Sequence, residues 1–172
     1  HALAIPWQTT DVVLAGTGSG LYRTMNRGEN WEPFGVGLPS GAVHSLAFDP
    51  ASDSNVYAGP VLGVYKSTNG GAVWSPSHRG LTQAYVRCLA IPRGATNTVY
   101  AGVPGMGVFQ SADGGRTWTA MDSGLPDSDI VDLTVRPIFP FTVFVGLRNR
   151  GVYKWNDSNF RWVEANAVAT RA

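Results

Sequence analysis

Residues 107–118 read GVFQSADGGRTW, and the same wording returns three times: GLYRTMNRGENW at 20–31, GVYKSTNGGAVW at 63–74 and GVYKWNDSNFRW at 151–162. The closing tryptophans, Trp31, Trp74, Trp118 and Trp162, lie 43, 44 and 44 residues apart. A second marker precedes each segment: VVLAG at 12–16, NVYAG at 55–59, TVYAG at 98–102 and TVFVG at 142–146. A third opens each unit: ALAIP at 2–6, SLAFDP at 45–50, CLAIP at 88–92 and DLTVRP at 132–137. Three markers in one order and one period make the chain four tandem repeats, a pattern that belongs to stacked or radial architectures.

Each period reads as four short strands, A to D. In the second repeat A covers 43–48, B covers 56–58, C covers 63–67 and D begins at Trp74. Alternating β-branched and aromatic residues favour strands. Pro50, Pro92 and Pro137 end strand A, because proline cannot donate to the ladder. Four short strands per repeat of this length is the signature of propeller blades. The expected fold is all-β: four four-stranded antiparallel blades in one domain, at about 1–40, 41–83, 84–127 and 128–168.

The hairpin between C and D carries a turn motif. Ser111, Asp113, Gly115, Thr117 and Trp118 match S-x-D-x-G-x-T-W at every fixed position. The second repeat has Ser67, Asn69, Gly71 and Trp74, and the first has Thr24, Asn26, Gly28 and Trp31. The fourth keeps Asp157 and Trp162, with Trp155 and Asn159 replacing Ser and Gly. Asp or Asn accepts hydrogen bonds from its own turn. Gly, or Asn159 in the fourth repeat, is expected to supply the positive φ. The tryptophan is expected to start strand D and bury its ring between blades. Asn serves as a turn acceptor but not as a general acid, so the motif reads as structural.

On these residues the chain resembles the Asp-box (BNR) propellers, which include sialidases, xyloglucanase-type glycoside hydrolases, sortilin-type receptors and photosystem II assembly factors. The resemblance implies fold more than function, since one repeat serves enzymes, receptors and assembly factors. A sialidase site would bring three arginines, a Tyr/Glu nucleophile pair and an acid Asp; Arg87, Arg148 and Arg150 qualify by residue type alone. A xyloglucanase-like site would bring two facing Asp residues, one in a B–C loop. The B–C loops at 17–19, 60–62, 103–106 and 147–150 contain neither Asp nor Glu. No catalytic residue is therefore assigned.

Propeller ligands gather where D–A and B–C loops meet. The D–A loops at 35–44, 79–87 and 123–132, with the B–C loops, give His44, Tyr85, Arg87, Asp129, Asp132, Arg148 and Arg150 as candidate binders. Arg148 and Arg150, flanking Asn149, form the sharpest basic feature and could meet an acidic group on a partner or sugar. His44 reads as a strand-edge hydrogen-bonding residue rather than a metal ligand. GTGSG at 16–20 imitates a nucleotide loop but occupies a B–C turn with no helix behind it.

Composition narrows the classes further. A formal net charge of +1 gives no reason to expect nucleic acid or an anionic membrane. No apolar run approaches the roughly 18 residues of a membrane span. The single cysteine, Cys88, sits in an apolar strand as a small buried side chain, with no disulfide partner. Neither a metal nor a cofactor is expected. The start at His1 reads as a mature form, a fragment or a renumbered chain.

Four blades are few for this blade type. The chain is an excerpt of a longer propeller, half of an eight-bladed homodimer, or a small closed ring. An open arc would expose apolar faces, so association is expected, with a second copy or within a larger assembly. The sequence favours a non-enzymatic extracytoplasmic module recognising a protein or glycan. The alternative is a fragment or half of an Asp-box glycoside hydrolase.

Overall fold

The computed structural model describes residues 1–9, 11–81, 84–95, 97–121, 123–137 and 140–165. Thr82 and Gln83 of the second D–A loop, and residues 166–168 of the last expected blade, lie outside the described residues.

Sixteen strands follow one another along the chain. The first sheet holds β1 (Ala2–Ala4), β2 (Val13–Thr17), β3 (Gly20–Thr24) and β4 (Glu32–Pro33). The second holds β5 (Val43–Asp49), β6 (Ser52–Pro60), β7 (Tyr65–Ser67) and β8 (Ser75–Pro76). The third holds β9 (Cys88–Ala90), β10 (Val99–Val103), β11 (Gly107–Ser111) and β12 (Thr119–Ala120). The fourth holds β13 (Ile130–Val135), β14 (Val143–Leu147), β15 (Gly151–Asn156) and β16 (Arg161–Glu164). Every sheet is an antiparallel meander in sequence order. In the first three sheets the final strand begins one residue after the tryptophan, not on it.

The first strands β1, β5, β9 and β13 lie against one another in succession, so they form the inner wall of an arc. Side-chain alternation assigns each strand one face per neighbour. Along β10, Val99, Ala101 and Val103 join the cluster with the second blade, while Tyr100 joins the cluster with the fourth. Three apolar clusters result, one at each junction between consecutive blades. Among the described residues the sheets do not close into a ring, as in a partial propeller.

The three junctions share one plan, except that the Trp74 indole N–H donates within its own hairpin, to Gly71 O at 2.7 Å. The tryptophan of one blade inserts against the blade before it, and Trp74, Trp118 and Trp162 are buried. The Trp118 indole N–H donates to Ser77 O at 2.8 Å, and Trp162 makes the same kind of bond to Met121 O. The backbone N–H of Trp74, Trp118 and Trp162 donates to the linker of the preceding blade at Val36, Arg79 and Ser123, over 2.8–2.9 Å. A buried indole covers enough apolar area to contribute roughly 4–6 kcal/mol gross. Trp31 departs from expectation. It is 43% exposed, because among the described residues no blade packs on that side of the first sheet.

The turn chemistry is visible in three hairpins. Ser111 Oγ receives the Gly115 N–H at 2.8 Å and donates to Asp113 Oδ1 at 2.8 Å; Asp113 Oδ1 in turn accepts Thr117 N–H at 2.9 Å. Ser67 and Asn69 repeat this with Gly71 and Val73, and Thr24 and Asn26 with Gly28 and Asn30. The third turn also seats on the blade before it: Tyr57 donates its hydroxyl to Gly114 O at 3.0 Å and Ser77 to Gly115 O at 2.7 Å.

The fourth hairpin is different. Trp155 stands where the serine should be, so no hydroxyl receives the turn, and its ring packs edge-on against Trp162 at 5.4 Å. The strands keep pairing to Asn156–Arg161. Asn156, not Asp157, caps the turn by accepting Ser158 N–H at 2.9 Å, and the positive φ falls on Phe160 (49°), not Asn159.

Candidate functional site

The inner strands carry a repeated irregularity. In the second blade Val43 pairs with Pro60 and Ser45 with Gly59, leaving His44 as an extra residue. In the fourth, Ile130 pairs with Leu147 and Asp132 with Gly146, leaving Val131. A bulge bends the strand and re-aims the side chain of the extra residue. His1 and Arg87 hold the same repeat position in the first and third blades, one residue ahead of Ala2 and Cys88. One residue per blade, His1, His44, Arg87 and Val131, thus faces one cavity of about 280 Å³ at the end of the arc where strand A begins.

Tyr85, Cys88 and Asp132 complete its wall. The His1 and His44 rings lie 4.9 Å apart, and His44 meets Tyr85 edge-on at 4.6 Å. Arg87 Nε donates to Val131 O at 3.0 Å, which holds the guanidinium across the junction to the fourth blade. The His44 imidazole is held below its usual pKa by desolvation first, then by the positive charges of the chain's amino terminus and Arg87. Burial pushes the Cys88 thiol up to about 12, so it stays protonated and inert at neutral pH. Among the described residues lining the cavity, Asp132 is the one carboxylate.

Of the seven residues expected to bind, four meet here: His44, Tyr85, Arg87 and Asp132. The other three do not line this cavity. Arg148 Nε donates to Asp129 Oδ2 at 2.8 Å, which ties a B–C loop to a D–A loop and divides the expected Arg148–Arg150 basic pair. Arg150 is exposed. His44 serves through ring packing within a bulge rather than as a strand-edge hydrogen-bonding residue. His1, Cys88 and Val131 were not anticipated at the site. The spacing of 43 residues from His1 to His44 and again to Arg87 was the available signal.

The opposite end of the inner wall is bridged. Asp53 accepts Trp7 N–H at 2.8 Å, Gln8 N–H at 3.0 Å and the Thr9 hydroxyl at 3.2 Å, joining the first two blades. Arg93 of the third blade stands over the Trp7 ring at 5.5 Å. None of the turn-motif residues lines the His44 cavity. Among the described residues no group of three His, Cys, Asp or Glu side chains could hold a metal ion. Nor is any helix long and apolar enough to cross a membrane.

No protein-family model and no curated protein matches the sequence. Solved structures do match. An ancestral GH74 enzyme superposes with a TM-score of 0.78 at 24% identity over 93% of this chain and 23% of its own. The GH74 xyloglucanase from Xanthomonas campestris gives 0.72 at 19% identity, over 96% of this chain and 30% of its own. YCF48 bound to D1 peptide gives 0.54 at 14% identity, over 95% of this chain and 67% of its own. The fold is that of a β-propeller. The chain spans less than a third of the length of these two hydrolases, and enzymes and a peptide-binding propeller share its blade architecture.

Proposed function

We propose that the chain is a binding module that recognises a protein or glycan partner at the inner-strand mouth, outside the cytoplasm. The observation that carries this reading is the convergence of His1, His44 and Arg87, one from each of three blades, on a cavity also lined by Tyr85 and Asp132. An aromatic edge, a guanidinium and a single carboxylate suit a ligand that offers hydroxyls and an anionic group. Arg87 would take the anion, the ring of Tyr85 would stack on an apolar face, and Asp132 would accept a hydroxyl.

The alternative, part of a glycoside hydrolase, calls for two carboxyl groups flanking one bond, about 5–10 Å apart. The cavity wall supplies Asp132 alone among its described residues. Binding rather than turnover is therefore the better-supported reading.

The test is a chemical-shift titration of the chain with neutral xyloglucan oligosaccharides, sialylated oligosaccharides and acidic peptides. One class should shift His44 and Tyr85 in a saturable way, and Arg87→Gln should abolish the shift without unfolding the chain. Release of reducing sugar by the chain, abolished by Asp132→Asn, would establish the hydrolase reading instead.

A further inference from the structure

The two outer faces of the arc are the two halves of the junction that the chain builds three times inside itself. On the leading face of the first blade, Leu3 is 72% exposed and Trp31 is open, whereas their repeat counterparts Leu133 and Trp162 are buried against a preceding blade. Ile5 is exposed where Phe48 is buried. On the trailing face of the fourth blade, Val152 is 37% exposed, while its counterparts Leu21, Val64 and Val108 are buried beneath the next blade. Gly146 makes the same point. A Cβ on Gly16 or Gly59 would strike the carbonyl of Val43 or Val86 in the following blade at 2.5 or 2.7 Å; on Gly146 it would meet only Asp132 O of its own blade at 3.9 Å.

We propose that a second copy of this chain occupies both faces, head to tail, so that two four-bladed arcs close one eight-bladed ring. The leading face presents the large ring of Trp31, and the trailing face presents the small side chain of Val152 with the half-buried Phe144, whose counterparts Leu14, Tyr57 and Tyr100 are buried. These are the partners that Trp74, Trp118 and Trp162 find within the chain. The two faces are continuous with that internal interface, and each fits the other rather than itself. Head-to-tail contacts either close or polymerise. Propeller rings typically hold four to eight blades. Two arcs reach the upper end of that range, and three would pass it. The association is independent of what the His44 cavity binds.

Sedimentation and light scattering of the purified chain over a wide concentration range test the proposal. The expected mass is twice that of the 18.3 kDa chain. Trp31→Glu and Val152→Glu alter opposite faces at positions open in the single chain, so each variant should keep its native circular dichroism and become monomeric. Leu3→Glu repeats the test on the leading face should Trp31→Glu unfold. Mixing the two monomeric variants leaves one intact junction, so a heterodimer should reappear, weaker than the wild type. A monomeric wild-type chain overturns the proposal and leaves the faces to another occupant. A dimer that survives both substitutions, or a mass that grows without limit, overturns it as well.

Discussion

Ser45 and Val86 meet across the junction of the second and third blades, the Ser45 hydroxyl donating to the Val86 carbonyl at 3.0 Å. Gly59 leaves the room in which they meet. A Cβ there would stand 2.3 Å from Ser45 Oγ and 2.7 Å from Val86 O. Backbone cannot yield as a side-chain tip can, so Gly59→Ala should force the blades apart. The expected loss is about 1–3 kcal/mol, the usual cost of overpacking. Gly18→Ala, whose Cβ would meet only the edge of His1 at 3.7 Å, should change stability little. Urea denaturation of the two variants checks the contrast.

Repeat position alone does not set what a tryptophan contributes. Trp118 is buried at a junction and its N–H is satisfied by Ser77 O. Trp118→Ala should cost about 3–5 kcal/mol by leaving a cavity. Trp31→Ala, at the same repeat position on an open face, should cost under about 1 kcal/mol when measured on the monomer. Equal losses would show that the first blade's tryptophan is buried in solution.

Acid should act on the third turn and spare the first two. Asp113 is held down at about 2, first by the Thr117 hydroxyl and then by the Thr117 backbone N–H. A carboxylate depressed in the folded state stabilises the fold above its unfolded pKa, near 3.9. That contribution is lost as pH falls towards 2. Asn26 and Asn69 do the same work without titrating. Asp113→Asn should therefore flatten the stability profile between about pH 4 and 2. Thermal unfolding of both proteins across that range is the measurement. Ser111→Ala strands the buried Gly115 N–H and should cost about 1–3 kcal/mol, somewhat more above about pH 4 than near pH 2, because the same hydroxyl also donates to the Asp113 carboxylate.

The fold was legible because period, turn residues and strand alternation all repeat, and each copy supports the others. Where copies diverge, legibility fails for physical reasons. Trp31 carries the same sequence signal as Trp74, but exposure depends on which blade packs beside it, and the local pattern does not mark that. Phe160 rather than Asn159 takes the positive φ because Trp155 removes the hydroxyl that fixes the turn elsewhere. The site was half legible. Loop position found His44, Tyr85, Arg87 and Asp132, since the mouth is where those loops gather. The pairing of Arg148 with Asp129 depends on how two loops meet, which the sequence pattern does not mark. The bulges that select His44 and Val131 are single-residue register shifts, which alternation patterns do not mark.

The charge on Arg87 should be readable at His44. Desolvation is the main cause of the lowered His44 pKa, with the amino terminus next and Arg87 after it. Removing one cation relieves part of the depression, so Arg87→Gln should move the His44 titration upward towards the ordinary value near 6.5. The stability consequence follows in sign. A histidine with a depressed folded pKa favours the fold above its unfolded pKa, and that benefit is lost as pH falls through the folded value. The wild type should therefore lose stability on acidification below about pH 6.5, and Arg87→Gln should lose less over the same interval. Imidazole proton shifts of His44 against pH, in both proteins, read the change directly. An unmoved His44 curve would mean that Arg87 points its charge away from the cavity in solution, and the anion-binding role given to it would fall with that result.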